Sequence, residues 1–185
     1  GRVYVYHGSS AGLSTTASQT LTGSSGVALG YSISLAGDVY GSDGYDDLVI
    51  GAPGYSSDKG IVYIYRGSAT GISSTSTTST NVSTSGVKGF GLSLTVSPSL
   101  DSDTIDDLIV GAPYSNSYQG YAYVVSGGKS SLGSTYSVTG PTSTSMYFGR
   151  VIAALGDINA DGYNDFALGI PNDNTKSGTV YVYLS

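Results

Sequence analysis

The chain has no cysteine, a single histidine and only seven basic residues among 185, and all of its thirteen acidic residues are aspartate. Each scarcity excludes something. Without cysteine there are no disulfides, and the redox character of the compartment stays open. Without glutamate a common helix former is missing, and no window shows a convincing 3.6-residue apolar period, so the secondary-structure signals are all β. The cations Arg2, Lys59, Arg66, Lys88, Lys129, Arg150 and Lys176 are scattered along the chain. With a net charge of −6 and a pI near 4.3, that scatter argues against nucleic acid as a partner. No apolar run reaches the roughly 18 residues of a membrane-spanning helix. His7 ends a Val-Tyr strand whose other copies end in Arg66, Ser126 and Leu184. It has no paired nucleophile or carboxylate, so no catalytic residue is assigned and the chain is expected not to be an enzyme.

What the chain does have is crowded aspartate. Eleven of the thirteen fall into the windows 38–47, 101–107 and 157–165, leaving only Asp58 and Asp173 outside. Two unit charges about 4 Å apart repel by roughly 1 kcal/mol in water and nearer 4 kcal/mol at an effective dielectric of about 20. Carboxylates folded into one tight loop therefore need a compensating charge, for which a hard divalent cation is the obvious candidate. In the third window Asp157, Asn159 and Asp161 place oxygens at alternate positions, Gly162 permits a sharp turn, the Tyr163 carbonyl can face inward and Asp165 can close the shell. An all-oxygen set suits calcium. An EF-hand is excluded, because its twelfth position would be Leu168 inside an apolar run. The first window repeats the second half as Asp43-Gly44-Tyr45-Asp46-Asp47, with Asp38 reaching in from a loop one residue longer. The middle window keeps Asp101, Asp103 and Asp107, with Ser99 for the first Asp and Thr104 for the turn glycine. The alternative for any one window is a polar turn with solvated carboxylates.

The windows are parts of a longer repeat. Strand-ending glycines Gly51, Gly111 and Gly169 are spaced by 60 and 58 residues. Leu29-Gly30, Phe90-Gly91 and Phe148-Gly149 precede the acidic windows, and Gly-x-Val-Tyr-type strands start at Gly1, Gly60, Gly120 and Gly178. The units run roughly 1–59, 60–119 and 120–177, with a surplus strand at 178–185. The first full set of four strands, which crosses the boundary between the first two units, is expected at Gly30–Ala36, Asp47–Ala52, Ile61–Arg66 and, more weakly, Thr78–Val82. Leu48-Val49-Ile50 and Leu108-Ile109-Val110 are apolar on both faces and must be covered on both. Four-stranded sheets stacked about an axis satisfy that demand. The expected fold is all-β: about three four-stranded antiparallel propeller blades, forming a partial propeller or a segment of a larger or assembled one. The seventeen tyrosines could stack on sugars, but their strand periodicity makes packing between sheets the default.

Phe-Gly, an Asp-rich loop and Gly-Ala-Pro, in that order within a 60-residue unit, resemble the FG-GAP repeats of integrin α-chain propellers and their microbial relatives. The resemblance covers essentially the whole chain, and the third block departs from it only in reading Gly169-Ile170-Pro171. It implies that each acidic loop joins the first two strands of a blade and binds calcium. The implied ligands are Asp157, Asn159, Asp161, Tyr163 and Asp165 in the third loop. They are Asp38, Asp43, Tyr45 and Asp47 in the first, and Asp101, Asp103, Ile105 and Asp107 in the second, the Tyr and Ile acting through their carbonyls. Propellers of the family usually close with about seven blades. Three therefore imply a segment, or a subunit that self-associates through blade faces or edge strands.

The function expected on this basis is a non-enzymatic, calcium-binding extracellular module for adhesion or recognition of a protein or glycan ligand. A structural subunit of a cell-surface or extracellular filament is the alternative, and an enzyme-associated propeller of a secreted hydrolase a distant third. The extracellular setting follows from the affinity of short calcium loops, about 10⁻⁴–10⁻³ M in extracellular modules. The stretch 68–86 is nearly all small polar residues and includes the sequon Asn81-Val82-Ser83. It is either an O-glycosylated outer edge or a plain polar loop and edge strand.

Overall fold

The computed structural model describes residues 1–185 except 11, 36, 142–145 and 172–176. Ala36, Asp173 and Lys176, which entered the sequence argument, lie outside the described residues. Four successive groups of strands follow the repeat. The first contains β1 (Arg2–Val5), a two-residue hairpin of β2 (Gly8–Ser9) and β3 (Gly12–Leu13), and β4 (Gln19–Thr22), which pairs with β1. Two complete four-stranded antiparallel sheets come next. One is β5 (Ser32–Leu35), β6 (Leu48–Ala52), β7 (Ile61–Tyr65) and β8 (Thr78–Thr80); the other is β9 (Ser93–Ser97), β10 (Asp107–Ala112), β11 (Tyr121–Val125) and β12 (Thr135–Thr139). The last sheet has three strands, β13 (Val151–Gly156), β14 (Asp165–Ile170) and β15 (Thr179–Tyr183). The first full set of four expected strands is present, with every described bound within two residues of its expected place.

The sheets stack face to face, which is why their central strands are apolar throughout. Leu48 and Ile50 pack toward Val3 and Leu21 of the first group, while Val49 between them packs toward Leu108, Val110 and Tyr123 of the next sheet. Ile109 in turn faces Phe148, Phe166 and Leu168. This alternation is the period of two in a strand covered on both sides. On the open side of the last sheet Val180 and Val182 are 68% and 53% exposed, whereas their counterparts Val62 and Ile64 are fully buried under the following blade.

The sequence markers turn out to be two halves of one inter-blade contact. A Cβ on Gly51 would lie 2.0 Å from the Gly91 carbonyl oxygen, and one on Gly111 would lie 2.1 Å from that of Gly149. The glycine after Phe in one blade thus sits directly on the strand glycine of the blade before. Ser32 and Ser93 hydroxyls donate to the same Gly91 and Gly149 carbonyls at 2.6 and 2.5 Å. Phe90 and Phe148, both fully buried, fill the seam beside them.

Antiparallel pairing sorts the connections. Those between β5 and β6, β7 and β8, β9 and β10, β11 and β12, and β13 and β14 emerge at one end of the sheets. These include all three acidic loops. The β6–β7, β8–β9, β10–β11 and β12–β13 connections emerge at the opposite end.

Tyrosines inside the seams give the fold an alkaline limit. Burial pushes the Tyr123 phenol up to about 12, and also raises Tyr63, Tyr65 and Tyr183 above 10.0. The stabilising contribution of a raised acid is fully present below its unfolded value and lost as pH rises through the folded one. Melting temperature should therefore fall steeply between about pH 10 and 12. Thermal unfolding across that range should show a shallower fall for Tyr123→Phe; an unchanged slope would contradict the assignment.

Candidate metal centre

Each acidic loop ends in an aspartate that leads directly into a buried strand: Asp47, Asp107 and Asp165, all 0–1% exposed. Their hydrogen bonds repeat. One carboxylate oxygen accepts from the backbone N–H seven residues earlier, at Tyr40, Leu100 or Ile158, at 2.7–2.9 Å. The other accepts from the N–H twenty residues later, at Gly67, Gly127 or Ser185, at 2.9–3.0 Å. Each of these residues thus staples its own loop to the connection beyond the third strand. Burial raises the carboxyls of Asp47 and Asp107, and the two N–H bonds oppose that rise. The sequence shows the aspartate before the strand but not its partner twenty residues on, because nothing marks a backbone N–H in a sequence.

The middle aspartates also repeat. Asp43, Asp103 and Asp161 each accept from the N–H two residues later, at Tyr45, Ile105 and Tyr163, at 2.8–3.0 Å. These short turns aim the carboxylates back over their own loops. The position-one aspartates align as well, since Asp38 Oδ2 accepts from Gly44 and Asp157 Oδ2 from Gly162, at 2.6 and 2.9 Å. The first loop therefore absorbs its extra residue and still brings Asp38 to the place of Asp157. Both turn glycines have positive φ, 82° at Gly44 and 97° at Gly162. In the second loop Ser99 stands at that first position and turns its hydroxyl onto the Asp101 carbonyl, 2.7 Å away.

Charge compensation within the protein differs from loop to loop. Arg66 Nη2 lies 2.8 Å from Asp43 Oδ2 and its Nε donates to the same oxygen, so the first loop carries a built-in cation that the sequence did not reveal. Asp106, also missed, accepts from the Asp38 N–H at 3.0 Å and ties the second loop to the first across the seam. Burial raises its carboxyl above the usual carboxylate value. In the third loop Asn159 donates to Asp161 at 2.6 Å.

Two observations bear on whether a calcium ion fits. Asp38 Oδ1 is buried without a hydrogen-bond partner, a costly condition for a carboxylate oxygen. Asp157 Oδ1 and Asn159 Oδ1 both accept from the one Asp161 N–H, at 3.1 and 3.0 Å, so positions one and three converge. The donors are all oxygen, as calcium requires. Among the described residues, no three carboxylates close on a common point in the present arrangement of side chains. The first and third loops fit a hard cation better than the second, where a serine hydroxyl replaces a carboxylate.

The segments 29–65, 90–125 and 148–183 each match the FG-GAP repeat family. The chain is 31% identical over 173 residues to integrin alpha-PS2 of Drosophila melanogaster, covering 84% of this chain and 11% of the relative. It is 35% identical over 166 residues to integrin alpha-8 of Homo sapiens, covering 84% and 15%. With integrin alpha-7 of Mus musculus the identity is 37% over 142 residues, covering 74% and 11%. The chain thus spans a small fraction of the length of these relatives. No described helix is long and apolar enough to cross a membrane.

Proposed function

The chain belongs to the FG-GAP repeat family, and from that premise we propose that it is a calcium-stabilised, extracellular propeller segment serving adhesion or ligand recognition, without catalysis. The observation that carries the calcium reading is the orphaned oxygen of Asp38, at the position repeated by Asp157. In this reading Asp157, Asn159, Asp161 and the Tyr163 carbonyl would hold an ion in the third loop. Asp38, Asp43 and the Tyr45 carbonyl would do so in the first, and Asp101, Asp103 and the Ile105 carbonyl in the second. Asp47, Asp107 and Asp165 close each loop while pinned to the backbone. The ion would offset carboxylate repulsion and lock each hairpin to its blade. The likeness to integrin alpha chains supports recognition and a place outside the cell. The repeat units 1–59, 60–119 and 120–177 act as one stacked array extended by 178–185. Asn81 of the sequon is exposed and open to glycosylation.

Asp161→Ala tests the metal reading. Calcium affinity should fall by about tenfold or more, which is about 1.4 kcal/mol. Melting temperature should drop in calcium and barely change in chelator; equal losses in both would contradict the site. Cells should adhere to the immobilised chain in calcium and not to the variant, and adhesion indifferent to both would overturn the recognition reading.

The open face of the last sheet favours a second reading. Val180 and Val182, with Val151 (53% exposed), present the kind of surface that seats a blade elsewhere in the fold. Tyr4 and Tyr6 on the first group, 51% and 46% exposed, are of the kind that is seated. Head-to-tail contact between copies would build a filament or ring. A monodisperse monomer at all concentrations would exclude it.

A further inference from the structure

The end of the sheets opposite the acidic loops carries a cleft of about 650 Å³. Tyr114 and Tyr118 enter it from the β10–β11 connection, Tyr147 and Arg150 from β12–β13, and Lys88 from β8–β9. The three rings form a mutual cluster, with centroids 5.9 Å apart for Tyr114 and Tyr118, 6.2 Å for Tyr114 and Tyr147, and 5.5 Å for Tyr118 and Tyr147. The Arg150 guanidinium carbon lies 5.8 Å from the centre of the Tyr147 ring. Packing alone would cover these rings, yet Tyr118 is 50% exposed. These tyrosines depart from the expectation that the aromatics serve the seams between sheets.

Backbone strain marks the same residues. Tyr147 has φ 56°, and its counterparts one and two repeats earlier, Gly89 and Ala28, have φ 74° and 57°. Glycine adopts that conformation freely, whereas a bulky residue there is an outlier. Tyr118 has φ 66° and closes a left-handed turn with Asn116 and Ser117; its counterpart Asp58 closes the same turn after Ser56 and Ser57. The chain therefore holds two aromatic rings in an unfavourable backbone conformation, at points where both project into one cleft. The fold imposes that conformation at these repeat positions, and among the described counterparts only here do aromatic residues occupy it.

Charge is sorted along the molecule as well. The eleven clustered aspartates lie in the acidic loops or at the strand starts that close them, at one end, whereas the cleft presents Lys88 and Arg150, both exposed. Among the described residues the only ion pair is Arg66 with Asp43, so neither cleft cation is in an ion pair. Asp58 is the single carboxylate in the lining.

Resting on the recognition reading above, we propose that this cleft binds an anionic saccharide. The C–H face of a pyranose ring packs on the Tyr118 and Tyr147 rings, which are flat, partly apolar and polar at the tip. Arg150 and Lys88 pair with the sugar's carboxylate or sulfate. Asp58 accepts from hydroxyl groups, which a saccharide supplies and an acidic peptide side chain does not.

The test uses the whole chain saturated with calcium, titrated calorimetrically with four probes: hyaluronan tetrasaccharide, chondroitin sulfate tetrasaccharide, maltotetraose and hexaglutamate. Saturable binding of either anionic tetrasaccharide is expected, and which of the two binds more tightly identifies carboxylate or sulfate as the recognised group. Tyr147→Gly and Arg150→Ala should each weaken it by about tenfold or more. Tyr147→Gly should do so while leaving the melting temperature unchanged or higher, since it restores the residue of the preceding repeat. Equal affinity for maltotetraose would overturn the anionic requirement, and equal affinity for hexaglutamate would overturn the saccharide. No saturable binding, or binding indifferent to both variants, would overturn the site. A protein that still responds to calcium and supports adhesion would in that case retain the recognition reading without this cleft.

Discussion

Gly111→Ala should lower stability by about 3 kcal/mol or more, and Gly169→Ala, at the equivalent position one repeat later, by less than about 1 kcal/mol. The new methyl at 111 would meet the Gly149 oxygen at 2.1 Å and the Ser93 hydroxyl at 2.2 Å. The carbonyl is backbone held by the next blade, so it cannot swing aside as a side-chain end would. The seam must open, which also breaks the 2.5 Å hydrogen bond from Ser93 to Gly149 and loosens Phe148. At 169 the nearest atom is the Val151 Cβ at 3.2 Å, on the open face of the last sheet. For a chain of this size about 3 kcal/mol corresponds to a fall of about 6–12 °C in melting temperature. Equal shifts for the two variants would show that the strand glycines are not there to admit the neighbouring blade.

That contact explains why the fold was legible in the sequence. Phe-Gly and Gly-Ala-Pro recur together because each glycine leaves the space its partner's backbone fills, and strands apolar on both faces announce sheets stacked on both sides. Strand positions 48–52, 107–112 and 165–170 follow directly from that pattern. The site was legible in part. The equivalence of Asp38 to Asp157 could be read despite the extra residue, because Gly44 and Gly162 mark the same turn. The Arg66–Asp43 pair could not, since 23 residues separate the two and arginine has no fixed place in the repeat. The left-handed turns at 56–58 and 116–118 were equally hidden, because Ser, Asn, Asp and Tyr do not announce positive φ as glycine does. The tyrosine cleft depends on those turns and was invisible for the same reason.

Asp107→Ala should cost about 3–5 kcal/mol, and the cost should be the same in calcium and in chelator. The carboxylate is 1% exposed and accepts from two backbone N–H groups, Leu100 at 2.7 Å and Gly127 at 2.9 Å. Removing it leaves both donors without a partner, at about 1–3 kcal/mol each, and unties the acidic loop from the β11–β12 connection. Asp107→Asn should not rescue the loss, because an amide offers one acceptor and sets an N–H donor against the second backbone N–H. The same reasoning holds for Asp47 and Asp165, whose bonds have the same spacing. Denaturant unfolding with and without calcium separates this role from ion binding. A staple weakens the protein under both conditions, whereas Asp161, which reaches no backbone group outside its loop, matters only when the ion is present. If the Asp107→Ala deficit vanished in chelator, the last aspartate of each loop would be a ligand first and a staple second, and the hairpins would depend on the metal for their hold on the blades.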